Sequence, residues 1–311
     1  MEDGKVTILT VTHERASKLR ALLGSIAATE VPRLAEVLLV DDSNAPPDYE
    51  REFPSLPVRH LRLTGRRFIS AAKNIGLAEV RSEFVFVVDD DNVLPPEGIE
   101  PAIDLLRMDP GLGAVMPSAV YHLRPDLVWV YATPFLPGRW GFDLIGRNRP
   151  RDLELERRVL PTDALPNASL LRRAAVGAGF DERLPVNSSA SFCQSMKARG
   201  WRVVAFPQVR LRHDVEPPEM RGYWAEHSVD PVRLRMEVHD WFLFQRTIRR
   251  AEHAVRLRAL YHALPFLSAM ELAFLVRSDA RWSQLNLALF AGLIGGLREA
   301  LAVPRGADAP R

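Results

Sequence analysis

The segment that most constrains this chain is Phe84-Val85-Phe86-Val87-Val88-Asp89-Asp90-Asp91-Asn92. Five consecutive apolar residues rich in β-branched and aromatic types describe a strand buried on both faces, because no side is left for water. Three carboxylates then follow without a break. They cannot continue a buried strand, since an unpaired buried charge is too costly. The run must emerge at a sheet edge and meet cations. Oxygen ligands of this kind suit Mg²⁺ or Mn²⁺, which in turn neutralise a diphosphate. A solvated turn of capping aspartates is the alternative for the run taken alone.

The segments around it set the fold class. Val6–Thr12 reads as a buried strand, and Ser17 to Ile26 as a helix carrying Leu19, Leu22, Leu23 and Ile26 at helical spacing. Glu36–Val40 is a second strand ending in Asp41-Asp42, and Val58–Leu63 alternates like a third. Ser70 to Val80 reads as a helix and Glu83–Val88 as the fourth strand. Acidic residues at strand ends in a strand, helix, strand, strand, helix, strand order describe an open α/β sheet, which binds ligands at the carboxyl ends of its strands. Gly113–Pro117 and Arg202–Phe206 read as later strands, separated by a Pro-, Gly-, Trp- and Arg-rich loop region from Leu123 to Pro161.

Bulk properties narrow the function classes. A net charge of +2 carries no polyanion signature, so no nucleic-acid partner is expected. The single cysteine, Cys193, excludes an internal disulfide framework and a Cys-rich metal site, and its apolar neighbours Phe192 and Met196 make it a buried, inert thiol. The chain opens almost at once on strand-like sequence, and no apolar run reaches the roughly 18–20 residues of a spanning helix. The expectation is a protein of the cytoplasm or the cytoplasmic face of a membrane.

Five short motifs in order, and a Gly-Trp pair after them, resemble glycosyltransferase family 2, of the glycosyltransferase A fold, over roughly residues 5–215. They are Thr10-Val11-Thr12-His13; Leu38-Leu39-Val40-Asp41-Asp42-Ser43, similar to the family's VDDGS; Ala72-Lys73-Asn74-Ile75-Gly76, similar to ARNxG; Asp89-Asp90-Asp91, similar to DxD; Gly179-Phe180-Asp181-Glu182, similar to GGFDE; and Gly200-Trp201. The resemblance implies a mixed α/β sheet flanked by helices and a metal-dependent hexosyltransferase using a nucleotide-diphosphate-sugar. It implies donor binding by Thr12, His13, Asp42, Arg66, Lys73, Asp89 and Asp90, with Asp42 accepting from the base and Asp90 near the ribose. Arg67 shares the loop of Arg66. Asp89 and Asp91 form the DxD pair, and Asp89, Asp91 and His213 are the expected ligands of Mn²⁺ or Mg²⁺, with Asp91 foremost.

The pattern breaks at the general base that an inverting enzyme needs to deprotonate the acceptor hydroxyl. The resemblance puts an acidic pair about a dozen residues before Gly200, where this chain has Ser188-Ser189, and no carboxylate lies between Glu182 and Asp214. A serine hydroxyl is no base near neutral pH without an activating partner. Ser189 therefore marks the position only, and Asp181, Glu182, Asp163 and His213 are the candidates. An anionic acceptor, a retaining mechanism, or a catalytically impaired sugar-nucleotide-binding scaffold would each remove the requirement. A nucleotidyltransferase would need a Gly- and Arg-rich loop after the first strand, and Thr12-His13-Glu14-Arg15 matches it poorly.

The domain expectation is a catalytic region over 1–216, with a nucleotide half (1–93) and an acceptor half (94–216), followed by a helical appendage over 217–311. Trp241 to Arg258 is amphipathic, with Phe244, Ile248, Ala251 and Val255 opposite Arg246, Arg249, Arg250, His253 and Arg256. Apolar stretches follow at 263–276 and 282–297. This is the pattern of an interfacial membrane anchor, which favours a lipid-linked acceptor over another glycan; a helical appendage packed on the domain, or a homodimer contact, is the alternative.

Overall fold

The computed structural model describes residues 2–135, 142–217 and isolated positions between 236 and 302. By its contacts the chain divides into two units, one of Met1–Phe180 with Phe192–Met220, the other of Asp181–Ser191 with Arg221–Arg311. The expected amphipathic helix over 241–258 and the apolar stretches after it lie outside the described residues, apart from scattered positions.

The first unit is built on one sheet. In chain order its elements are β1 (Glu2–Thr12), α1 (Ala16–Ala28), β2 (Leu34–Asp41), the single turn α2 (Tyr49–Glu52), β3 (Val58–Arg62), α3 (Phe68–Glu79), β4 (Ser82–Val88), β5 (Asn92–Val93), α4 (Glu100–Met108), β6 (Leu112–Tyr121), β7 (Val128–Val130), β8 (Leu160–Pro161), β9 (Ala168–Arg172), α5 (Ser189–Ala198) and β10 (Arg202–His213). The strands are ordered β3-β2-β1-β4-β9-β6-β10-β5, with β7 on β6 and β8 on β10. β3, β2, β1 and β4 are mutually parallel, and β10 is parallel to β6. β9 runs antiparallel to both β4 and β6. All six parallel strands therefore end at one edge, where Thr12, Asp41, Val88 and His213 lie.

The apolar strand predicted to bury both faces does so. Phe84, Phe86 and Val88 join a core with Ile8, Leu19, Leu22, Leu23, Ile103 and Leu106, under α1 and α4. Val85 and Val87 join the opposite core with Leu9, Leu38, Ala72, Leu77, Phe192 and Met196, under α3 and α5. Period-2 alternation sends successive side chains to opposite layers, and each fully buried chain contributes roughly 1.5–3 kcal/mol. Gly76 of α3 faces the side chains of Leu9 and Val40 so closely that a Cβ would collide, so the helix needs glycine there. Cys193 is buried, and that burial pushes its thiol up to about 12, as an inert cysteine requires.

Two of the departures from the periodicity reading bear on the site. The antiparallel β9 is absent from it, since five residues after Pro166-Asn167 carry little strand signal. β10 does not stop at Phe206 but shifts register between Phe206 and Arg210, around Pro207, and runs on to His213. Proline cannot donate to the ladder. Ser118 instead donates its hydroxyl across the bulge toward the carbonyls of Pro207 and Val209, at 3.1 Å each.

Candidate active site

The shared edge collects the acidic motifs, and local hydrogen bonding decides which carboxylate faces where. At the end of β2, Asp41 turns into the layer holding Tyr49. It receives the backbone N–H of Ser43 at 2.8 Å and faces the buried imidazole of His60 at 3.3 Å. Burial alone would raise its carboxyl, but His60 and Ser43 hold it below the usual range. Asp42, the next residue, points the other way. One carboxylate oxygen lies 2.8 Å from His13 Nδ1 and the other accepts the N–H of Arg67 at 2.5 Å. The expected donor residues His13 and Asp42 are thus in contact. Arg66 lies with its guanidinium 4.6 Å above the Phe68 ring.

The run after β4 divides its three carboxylates among three partners. Asp89 Oδ1 accepts from Lys73 Nζ at 2.9 Å, and that ammonium also sits 5.5 Å from the Phe180 ring centroid. Asp90 is buried, accepts the Thr12 hydroxyl at 2.7 Å and pairs with Arg15 Nη1 at 2.8 Å. Burial first, and then the charges of Asp91 and Asp89, lift its carboxyl to about 6 against the opposing pull of Arg15 and Thr12. Asp91 pairs with Arg15 Nη2 at 2.7 Å and faces His213 Nε2 at 3.3 Å. Burial works against its ionisation too, but His213 and Arg15 outweigh it and hold this carboxyl well below the carboxylate range.

A small piece of backbone brings Asp91 to His213. Directly after the acidic run, β5 turns back to pair with β10, matching Asn92 to His213. The Asp214 N–H then donates to the Asp91 carbonyl at 2.7 Å. Fully buried Asn92 exchanges two side-chain hydrogen bonds with Asn167, at 2.7 and 2.8 Å, and donates to the Asp89 carbonyl at 3.0 Å. Asn167 is in the left-handed region (φ 69°), which asparagine tolerates better than most residues. Lys18 adds a bond from α1 to Asp214 at 2.6 Å.

His213 is clamped edge-on against Trp129, with ring centroids 4.5 Å apart, and its buried Nδ1 has no hydrogen-bond partner among the described residues. Asp91 and His213 form a two-residue set of one carboxylate and one imidazole. Among the described residues no group of three or more His, Cys, Asp or Glu converges on one point. A two-residue set fits Mg²⁺ or Mn²⁺, which commonly bind one or two protein ligands and complete their shell with substrate phosphate and water. Asp89, expected beside Asp91 as a ligand, is directed at Lys73.

The base candidates are unevenly suited. Asp163 is held by Lys197 at 2.6 Å and accepts the N–H of Phe135 at 2.8 Å; against the effect of burial, these keep its carboxyl low, which weakens it as a base. Asp181 is clamped by Arg183 Nη2 at 2.8 Å and Nε at 2.9 Å. Glu182 is exposed, Ser188 is buried and Ser189 opens α5. Within the second unit, fully buried Asp240 accepts the N–H groups of Val186 and Asn187 at 2.8 and 2.7 Å, and its other oxygen lies 3.1 Å from His239 Nδ1. Neither Asp240 nor Arg15 stands out in the sequence. The one hint for Arg15 is its place two residues after His13.

Comparison with known proteins decides the family. The sequence model of glycosyl transferase family 2 matches residues 7–176, more than half of the chain. The chain belongs to this family. Comparison of the chain with curated proteins gives no match. Among solved structures it is similar to the mannosyltransferase PcManGT from Pyrobaculum calidifontis, in complex with GDP-Man and Mn²⁺, with a TM-score of 0.54 and 19% identity over 98% of this chain and 90% of that one. It is also similar to GalNAc-T7 with UDP, GalNAc and Mn²⁺, with a TM-score of 0.55 and 14% identity over 81% of this chain and 52% of that one. Residues 1–349 of S. aureus TarS in complex with UDP give a TM-score of 0.50 and 16% identity, covering 77% of this chain and 65% of that one. The chain thus spans less than two thirds of the TarS and GalNAc-T7 chains. At these identities the likeness establishes the fold, that of glycosyltransferases with a mixed central sheet. No helix among the described residues is long and apolar enough to cross a membrane.

Proposed function

We propose that this chain transfers a hexose-type sugar from a nucleotide-diphosphate-sugar to a lipid-linked or glycan acceptor, with a divalent metal in the donor site. The contact of Asp91 with His213 carries this reading, since it supplies a partial ligand set at the carboxyl edge of the sheet. Asp91 and His213 are the residues that would hold Mn²⁺ or Mg²⁺. When bound, the ion supplies a fixed positive charge against the diphosphate, where negative charge grows in the transition state. Lys73 donates toward the same charge, His13 and Asp42 receive the base, and Thr12 and Asp90 line the ribose side. In the transfer, the acceptor oxygen bonds to the anomeric carbon as the bond to the diphosphate oxygen breaks; that electron pair leaves with the diphosphate, and the proton of a hydroxyl acceptor passes to the leaving diphosphate or to water. The choice of metal and donor class is supported by PcManGT in complex with GDP-Man and Mn²⁺ and by GalNAc-T7 with UDP, GalNAc and Mn²⁺.

The basic amphipathic pattern over 241–258 supports work at the cytoplasmic face of a membrane and hence a lipid-linked acceptor. A second reading, a sugar-nucleotide-binding scaffold without turnover, is favoured by the carboxylate-free segment 186–191. One experiment separates the two: a panel of nucleotide-sugars assayed with Mn²⁺ for binding by thermal shift and for release of nucleoside diphosphate. Metal-dependent release with one donor supports the enzyme. Binding with no release, with or without membrane-lipid extract as acceptor, supports the scaffold, and no binding of any donor refutes both.

A further inference from the structure

Arg15 has no role in the donor site as described so far, yet it is the group most directly engaged with the acidic run. Its guanidinium spans two carboxylates, Nη1 to Asp90 at 2.8 Å and Nη2 to Asp91 at 2.7 Å. The arginine side chain is 41% exposed whereas the carboxylates are 4% and 11% exposed, so the cation covers them from the solvent side. Its position is fixed at the base of the arm. Glu14 donates its N–H to Ser43 Oγ at 2.7 Å, and its carboxylate binds Asn44, which ties this loop to the end of β2. Beyond that anchor the side chain is long and open to solvent, where an arriving ligand oxygen could meet it.

Charge counting shows what such a change would do. Asp89, Asp90 and Asp91 bring three negative charges when ionised, and Lys73 and Arg15 bring two positive ones. A divalent ion arriving alone would leave a net positive cluster, with Arg15 already bonded to the same Asp91 carboxylate. A diphosphate arriving with the ion restores a negative balance and offers oxygens that the planar guanidinium fork binds well.

Resting on the donor-site reading above, we propose that Arg15 is a diphosphate-binding residue stored on Asp90 and Asp91, and that it makes metal binding conditional on the donor. With the metal alone, Arg15 competes for Asp91. With metal and donor together, Arg15 moves to the diphosphate, so each ligand favours the other. Linkage makes that favour reciprocal.

The test is Arg15→Gln, with Arg15→Lys beside it, measured with Mn²⁺ alone by the electron paramagnetic resonance signal of the free ion, and with UDP and GDP in saturating Mn²⁺ by calorimetry. Arg15→Gln is expected to bind Mn²⁺ alone about tenfold tighter than wild type and the preferred nucleoside diphosphate about tenfold weaker, within the range usual for coupled sites. Arg15→Lys keeps the charge without the fork and is expected to shift both affinities the same way by less. A residue that merely supported the fold would weaken both. The inference is overturned if the variants bind Mn²⁺ alone no tighter than wild type, or bind the nucleotide equally well. If wild type binds Mn²⁺ with a nucleoside diphosphate while these shifts are missing, only the role of Arg15 falls. If wild type binds neither, the donor-site reading falls with it.

Discussion

Burying Asp90 between two other carboxylates has a cost that can be measured. Its carboxyl is displaced from an ordinary value of 3.8 to about 6, chiefly by burial. The folded protein therefore holds the Asp90 proton more tightly than the unfolded chain. Between pH 3.8 and about 6 the folded state binds more protons, so this group's contribution to stability falls as pH rises through that window. At about 1.4 kcal/mol for each tenfold change in proton affinity, the loss above pH 6 amounts to about 3 kcal/mol. Asparagine is close in shape to the protonated acid and does not ionise. Asp90→Asn should therefore match wild type near pH 4 and exceed its stability by up to about 3 kcal/mol at pH 7. Urea denaturation of both proteins in EDTA, at pH 4.5, 5.5 and 7, reads this directly. The window is distinct from those of Asp41, Asp91 and Asp163, whose lowered carboxyls lose stability only as pH falls below their ordinary range. A stability difference that does not grow between pH 4.5 and 7, or an Asn variant less stable at pH 7, would refute the reasoning.

Three further outcomes follow from the packing. Gly179 has φ 85°, and a Cβ there would run into the Asn74 amide that holds Phe180 through two hydrogen bonds, so Gly179→Ala should cost about 2–4 kcal/mol in urea denaturation. Asp240→Ala removes the acceptor of the Val186 and Asn187 N–H groups; each unsatisfied group costs about 1–3 kcal/mol, and hydrogen exchange across 181–191 should quicken, whereas unchanged exchange would mean the contact holds nothing. Cys193, buried with its thiol pushed up to about 12, should react with a thiol reagent at pH 8 only as fast as the protein unfolds; prompt labelling of the native protein would contradict its burial.

The half of the site made by local sequence was legible in advance, and the half made by long-range pairing was not. An apolar run ending in Asp89-Asp90-Asp91 can only be a buried strand meeting a sheet edge, and Asp41-Asp42 closes β2 by the same logic. Alternation does not say which of Asp41 and Asp42 turns toward His13; that depends on His60 filling the space behind Asp41. His213 was placed after a strand, but its approach to Asp91 depends on the two-residue β5 and on the bulge at Pro207, neither of which has a periodic signal. Arg15 read as one of many arginines until α1 put it over the carboxylates. The hold on the 186–187 backbone comes from Asp240, more than fifty residues away along the chain, and such a pairing has no local signal.

The central claim is that Asp91, with His213, makes nucleotide binding depend on a divalent metal. Calorimetry of UDP and GDP binding, with Mn²⁺ and with EDTA, on wild type and Asp91→Asn is its most direct test. Wild type should bind one of the two nucleotides far more tightly with Mn²⁺, and Asp91→Asn should lose about a hundredfold in that metal-dependent affinity while keeping its metal-free binding. An Asp91→Asn protein that retains the full Mn²⁺ dependence of wild type would contradict the claim.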